Sequence, residues 1–190
     1  MRSGLVALLA AVAAGPVQAK PVIATGDRGF DTFVSGCAAS VGSLEGVKAY
    51  LASEGFRPAP PAFAAGQFQS PPDHVWLAPL PDQVAVVTQP DGMLCRVYVR
   101  GGNIARQVAD FRRLVEGMAA PGFFARKTQD GALSTARGPA QYLQYHVGAD
   151  APQPGATGRL FSIATSDQPG APFSTIMTVG AVAAEGSRAK

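Results

Sequence analysis

The sequence from Asp82 to Arg100 reads DQVAVVTQPDGMLCRVYVR and predicts the β-hairpin around which the rest of the fold is organised. Two runs rich in β-branched residues, 84–88 and 95–99, flank the tetrapeptide QPDG. In this turn proline presets one backbone angle, and glycine accepts the left-handed conformation that a tight reversal needs. We therefore predict two paired antiparallel strands with residues 89–92 between them.

The amino terminus has the pattern of a signal peptide. Arg2 supplies the positive charge, an apolar run follows it, and small residues ending at Ala19 form a cleavage site before Lys20. The apolar run is too short to span a membrane, so no transmembrane segment is expected after processing. We predict a signal peptide at residues 1–19, and a single exported α+β domain at residues 20–190, in the bacterial periplasm or secreted.

Two independent local periods direct both cysteines of the chain toward the core. Alternation along the second hairpin arm turns Cys95 to the buried face and Arg96 and Tyr98 to solvent. Cys37 lies on a helical stripe of apolar residues that recur at steps of three and four. In an exported chain, paired cysteines are more often a bridge than two thiols, so we predict a Cys37–Cys95 disulfide.

The remaining periods predict an α+β fold with an antiparallel sheet of about six to eight strands packed against two or three helices. Helices are indicated after Phe30, after a Ser43 cap and after an Asn103 cap. Turn residues, among them Asp130-Gly131 and Gly138-Pro139, separate the further strand candidates 75–77, 123–128, 133–136, 141–147, 159–166 and 173–182. A helix followed by several strands occurs twice, which raises the hypothesis of a duplicated unit.

Residues 57–72 contain five prolines and no charged residue after Arg57, a composition that favours neither helix nor central strand. We predict a long surface loop pinned by Phe63 and Phe68. Two interpretations stay open for this loop, a tethered connector and a lid over a ligand site.

The formal net charge of +3 is too small to demand a nucleic-acid partner. The segment 96–127 is more basic than the rest of the chain, and it predicts a candidate binding face for an anionic envelope component or another protein. The residues of this face are Arg96, Tyr98, Arg100, Arg112 and Arg113. The alternative interpretation is a solvated surface without a partner.

Catalytic and metal-binding patterns are weak in this sequence. It contains none of the nucleophile-elbow, zinc-protease or phosphate-loop motifs, and its two histidines, His74 and His146, have no metal-ligand spacing. Cys95 with His146 is the one nucleophile and base pair that suggests a hydrolase of cell wall or of a small ester or amide. We predict a non-enzymatic, envelope-associated binding protein without cofactor or metal, with that hydrolase and a structural or inhibitory module as alternatives.

Overall fold

A computed structural model describes residues 25–79, 83–135, 138–150 and 157–183, so the predicted signal peptide lies outside the described residues. The described residues form one antiparallel sheet of eight strands and four α-helices, which confirms the predicted α+β class. The helices are α1 Arg28–Thr32, α2 Leu44–Ser53, α3 Pro61–Phe68 and α4 Ile104–Glu116. The strands are β1 Arg57–Pro58, β2 Val75–Leu77, β3 Val84–Thr88, β4 Leu94–Val99, β5 Phe123–Thr135, β6 Gly138–Ala149, β7 Thr157–Thr165 and β8 Thr175–Ala183.

The order of the strands in the sheet is β1-β2-β3-β4-β8-β7-β6-β5. From α2 onward, the described residues thus contain twice a helix followed by a four-stranded meander, and the last strands of the two meanders pair at the centre, where Val97 lies opposite Met177. This topology has the repeated order that the sequence suggested, with α3 as an addition in the first half.

The predicted hairpin is present as β3 and β4. Val84 lies opposite Val99 and Thr88 lies opposite Cys95, with the turn between them. Gly92 has a φ of 69°, and its backbone oxygen accepts a hydrogen bond of 2.9 Å from the nitrogen of Gly42. The turn thus packs against the segment that leads into α2.

Helices α1, α2 and α4 cover one face of the sheet and enclose the main core, whereas α3 packs on the other face. At its centre the ring of Phe33 lies 5.9 Å from that of Phe111 on α4 and 6.3 Å from that of Phe161 on β7. Helix α4 begins where Asn103 accepts a hydrogen bond of 3.0 Å from the nitrogen of Arg106, as the predicted cap requires.

The disulfide between Cys37 and Cys95 is present, with a Cα–Cα distance of 5.4 Å. Cys37 belongs to a π-helical segment, Phe33–Ala38, that continues α1, and both cysteines are fully buried. The bridge fastens this segment to the central strand β4.

The prediction that residues 57–72 form a loop was wrong, because Pro61–Phe68 is a helix. Its prolines lie where a helix tolerates them: Pro61 occupies the first turn, where a backbone N–H has no helical partner. The proline-free run after it then completes two turns, and the helix ends at Gln69 in the left-handed conformation with a φ of 52°.

Strand β5 also differs from its prediction. The sequence indicated two strands separated by a turn at Asp130-Gly131, whereas Phe123–Thr135 is continuous. An irregularity between Lys127 and Gln129 inserts an extra residue and places the Asp130 carboxylate 2.9 Å from the Lys127 ammonium and 3.2 Å from the Arg112 guanidinium. The predicted turn at Gly138-Pro139 is instead the start of β6, and residues 136–137 lie outside the described residues.

Candidate ligand-binding groove on the open sheet face

The two faces of the sheet have different surroundings. Cys95 and Val97 of β4 point into the core under the helices, so the alternating residues Arg96 and Tyr98 point to the reverse face. Helix α3 covers this reverse face over β2 and β3, where Ala64 packs against Val75 and Val87, and it reaches β4 at Tyr98. We use the term open face for the uncovered reverse side of β4, β8, β7 and β6.

A groove with a volume of about 450 Å³ crosses the open face. Leu160 and Ile176 form its apolar floor, with Arg96 and Tyr98 of β4 at one end and Tyr142 and Gln144 of β6 at the other. Its volume lies in the range of small-molecule sites, and it is partly open to solvent.

Strand register arranges polar side chains of the groove in a single line. Arg96 lies directly opposite Thr178, Thr178 opposite Ser162, and Ser162 opposite Gln144. We name these four residues the polar row. Neighbouring strands are about 4.8 Å apart, so the row runs perpendicular to the strands for roughly 14 Å.

An apolar and aromatic row flanks the polar row. Tyr98 lies opposite Ile176, which lies opposite Ala164, and Ala164 lies opposite Tyr142. The two tyrosines therefore stand at the two ends of this row. The groove thus offers hydrogen-bonding groups along one line and apolar surface along the next.

Arg96 is the only charged side chain among the described residues that line the groove. It is exposed and makes no hydrogen bond or ion pair with any residue in the described ranges. A guanidinium carries five N–H donors in a planar fork that matches a carboxylate or phosphate. The groove therefore has a free anion-binding group at one end.

The opposite end of the polar row is held in place by hydrogen bonds. The side-chain amide of Gln144 donates to the Tyr142 hydroxyl at 2.8 Å, and the Thr128 hydroxyl donates to the Gln144 amide oxygen at 3.1 Å. By contrast, the hydroxyls of Ser162 and Thr178 have no hydrogen bond within the part of the chain that the structure describes. Both hydroxyls are free to donate to, and accept from, a ligand.

An aromatic cluster bounds the groove next to Tyr98. The ring of Tyr98 lies 4.9 Å from that of Phe68 and 5.0 Å from that of Phe173. Phe68 is on α3, so the proline-rich segment packs against a residue that lines the groove. The prediction that Phe68 pins this segment is confirmed, whereas Phe63 remains 39% exposed.

Arg100 lies beyond the aromatic cluster, in a second depression of about 910 Å³ between α3 and the segment before β8. Its Nε donates a hydrogen bond of 2.8 Å to the backbone oxygen of Pro172, and its guanidinium carbon lies 5.9 Å from the centroid of the Phe173 ring. Arg100 is thus separated from Arg96 by the Tyr98 ring.

The structure does not bring Arg112 and Arg113 to the open face. Both belong to α4, which packs on the helix-covered face. Arg112 pairs with Asp130 at 3.2 Å, and Arg113 pairs with Asp110 at 3.1 Å. Of the five residues in the predicted binding face, Arg96 and Tyr98 share one groove, Arg100 lies next to it, and the two α4 arginines are elsewhere.

Cys95 and His146 are also kept apart. The sulfur of Cys95 is bonded to that of Cys37 on the core side, whereas His146 alternates to the reverse face and packs edge-on against Phe124, with ring centroids 5.2 Å apart. No group of three His, Cys, Asp or Glu side chains that could hold a metal ion occurs among the described residues.

The sequence interpretation missed Thr178, Ser162, Tyr142 and Gln144. Alternation in their strands is the signal that separates them from the core residues, since Leu143 and Tyr145 are buried between polar neighbours.

No helix in the described ranges has the length and apolar character needed to cross a membrane. No protein-family model, curated protein or solved structure matches this chain.

Proposed function

We propose that this protein is a non-enzymatic binding protein that takes an anionic envelope component into the groove of the open face. The observation that carries the proposal is Arg96, an exposed guanidinium without a partner in the described residues, next to an apolar floor of Leu160 and Ile176. The guanidinium would bind the anionic group of the ligand by charge-assisted hydrogen bonds, and the floor would pack against its apolar part.

The hydrolase alternative lacks supporting geometry. The Cys95 sulfur is bonded to Cys37 and faces the core, and a nucleophilic cysteine must be a free thiolate within hydrogen-bond reach of its base. His146 lies on the other face of the sheet. The groove itself contains no nucleophile paired with a base among its described lining residues.

Export to the periplasm or the medium belongs to the same proposal. Its support is the signal-peptide pattern ending at Ala19 and the Cys37–Cys95 disulfide, because disulfides persist in oxidising compartments. An envelope component is then a ligand that the protein meets in that location.

The test compares Arg96→Gln with a control, Arg113→Gln, which removes a charge of the same sign from another exposed side chain, on the other face. Two anionic probes are used in low-salt buffer, galacturonate oligomers and phosphatidylglycerol vesicles. The wild-type protein should bind at least one probe, and Arg96→Gln should weaken that binding by about ten- to a hundredfold, because a hydrogen bond to a charged group contributes about 1.5–3 kcal/mol. Absence of binding to both probes, or equal binding by the two variants, would refute the proposal.

A further inference from the structure

We propose that the ligand of the groove is a linear acidic oligosaccharide that lies along the polar row, with a carboxylate on Arg96. This inference rests on the proposed function and specifies its ligand. Three properties of the groove support it: the line of hydrogen-bonding groups, the two tyrosines beside that line, and the openness of the groove.

The polar row matches the chemistry of a sugar chain. A sugar ring presents hydroxyl groups around its edge, and Ser162 and Thr178 present two free hydroxyls that both donate and accept. The side-chain amide of Gln144 follows in line at the end of the row. An extended ligand across four strands therefore meets a polar group at each strand.

The flanking tyrosines match the other surface of a sugar. The C–H groups on the face of a pyranose ring are weakly positive, and an aromatic face is electron-rich, so the two attract when stacked. Tyr98 and Tyr142 are both half-buried and lie in the row next to the polar row, at its two ends. Tyr98 is held by Phe68 and Phe173, and Tyr142 by its hydrogen bond from Gln144.

An acyl chain fits the open groove less well. The stabilisation of an alkyl chain is proportional to the apolar area removed from water, and a groove that is partly open to solvent leaves part of such a chain hydrated. Burying the chain against Ser162 and Thr178 would also remove two free hydroxyls from water without a partner. A sugar chain satisfies these hydroxyls and needs only one of its sides to be covered.

The position of Arg96 predicts where the ligand carries its negative charge. It ends the polar row on β4, and each of the three residues after it is neutral. One carboxylate at this end is therefore enough, and the rest of the chain contributes hydrogen bonds. Affinity should rise with chain length until the oligomer reaches Gln144, and should then level off.

The decisive variant is the double substitution Ser162→Ala and Thr178→Val, which removes both hydroxyls at nearly constant volume and leaves Arg96 in place. It should weaken binding of galacturonate oligomers about tenfold without weakening binding to phosphatidylglycerol vesicles. Ser134→Ala on β5, an exposed serine outside the groove, is the matched control and should bind like the wild type. Thermal melting of each variant verifies that it is folded.

Failure of this inference is distinguishable from failure of the proposed function. Oligomer affinity that is independent of chain length, or unchanged in the double variant, would overturn the oligosaccharide. Binding to anionic vesicles but not to the oligomers would also overturn the oligosaccharide as ligand. If that vesicle binding is weakened by Arg96→Gln, the proposed function is still supported. Loss of oligomer binding in the double variant together with a length-dependent affinity of the wild type supports the inference.

Discussion

Removing the Cys37–Cys95 disulfide should lower the free energy of unfolding by an amount that depends on the length of the loop between the two cysteines. The two residues are 58 positions apart in sequence, and they join the π-helical segment to the central strand β4. In the chain-entropy description, a cross-link that closes a loop of this size destabilises the unfolded state by about 4 kcal/mol. For a protein of this length, 1 kcal/mol corresponds to roughly 2–4 °C in melting temperature, so the expected loss is about 8–16 °C.

Circular dichroism melting curves give this difference directly. Both cysteines are fully buried, so reductant must be added to unfolded protein, which is then refolded under reducing conditions. The oxidised and reduced forms are compared with the double variant Cys37→Ala and Cys95→Ala. The two single serine variants should melt at about the same temperature as each other, because either substitution removes the same bridge.

A thiol titration of the purified, denatured protein without reductant should find no free thiol. In the melting experiment, the double alanine variant is the control, because its melting temperature should not respond to reductant. Melting temperatures of the oxidised and reduced wild type within about 2 °C of each other would refute the entropic reasoning. A count of two thiols in protein purified from the envelope would show that the bridge is absent in the cell.

Two further predictions concern processing and pH. Amino-terminal sequencing of protein from an envelope fraction should begin at Lys20 or within a residue or two, and recovery of intact Met1 from the cytoplasm would contradict export. Burial, and then the hydrogen bond to Glu116, raise the pKa of Tyr145 from 10.0 to about 12, so the folded state holds a proton that the unfolded state releases in this interval. The free energy of unfolding should therefore fall as the pH rises from 10 to 12, and urea titrations should show a smaller fall in Tyr145→Phe.

Elements with a local cause were predictable from the sequence. The hairpin follows from two β-branched runs on either side of a turn, with alternation in the second run, and α4 follows from a regular apolar stripe behind the Asn103 cap. The disulfide followed as well, because the helical period around Cys37 and the strand period around Cys95 each point to the core.

Elements with competing local signals were not predictable in the same way. The prolines before α3 disfavour a helix interior but are compatible with its first turn, so only the length of the proline-free run distinguishes the two cases. In β5, Asp130-Gly131 has the composition of a turn, but the ion pairs of Asp130 with Lys127 and Arg112 are formed in the extended strand. The local sequence pattern does not indicate that Lys127 and Arg112 pair with Asp130.

The candidate groove was predictable only at one edge. Alternation turned Arg96 and Tyr98 outward, but Thr178 lies next to Arg96 because β4 pairs with β8, a strand some eighty residues later in the chain. A shift of one residue in that pairing would turn the opposite set of side chains to the open face. The register between distant strands is set by packing of the whole core, and local sequence periodicity does not determine it.

The pairing of β4 with β8 also decides when the sheet can be completed. The hairpin and the β5–β7 meander can each form from neighbouring segments, but the strand that joins them is the last of the eight along the chain. Until β8 docks, β4 and β7 both present unpaired edges, which are templates for association with other chains. The final contacts link residues far apart in sequence, a topology associated with slow folding. A nascent or interrupted chain that lacks β8 is thus left with two aggregation-prone halves, and the polar row does not exist until the last strand is in place.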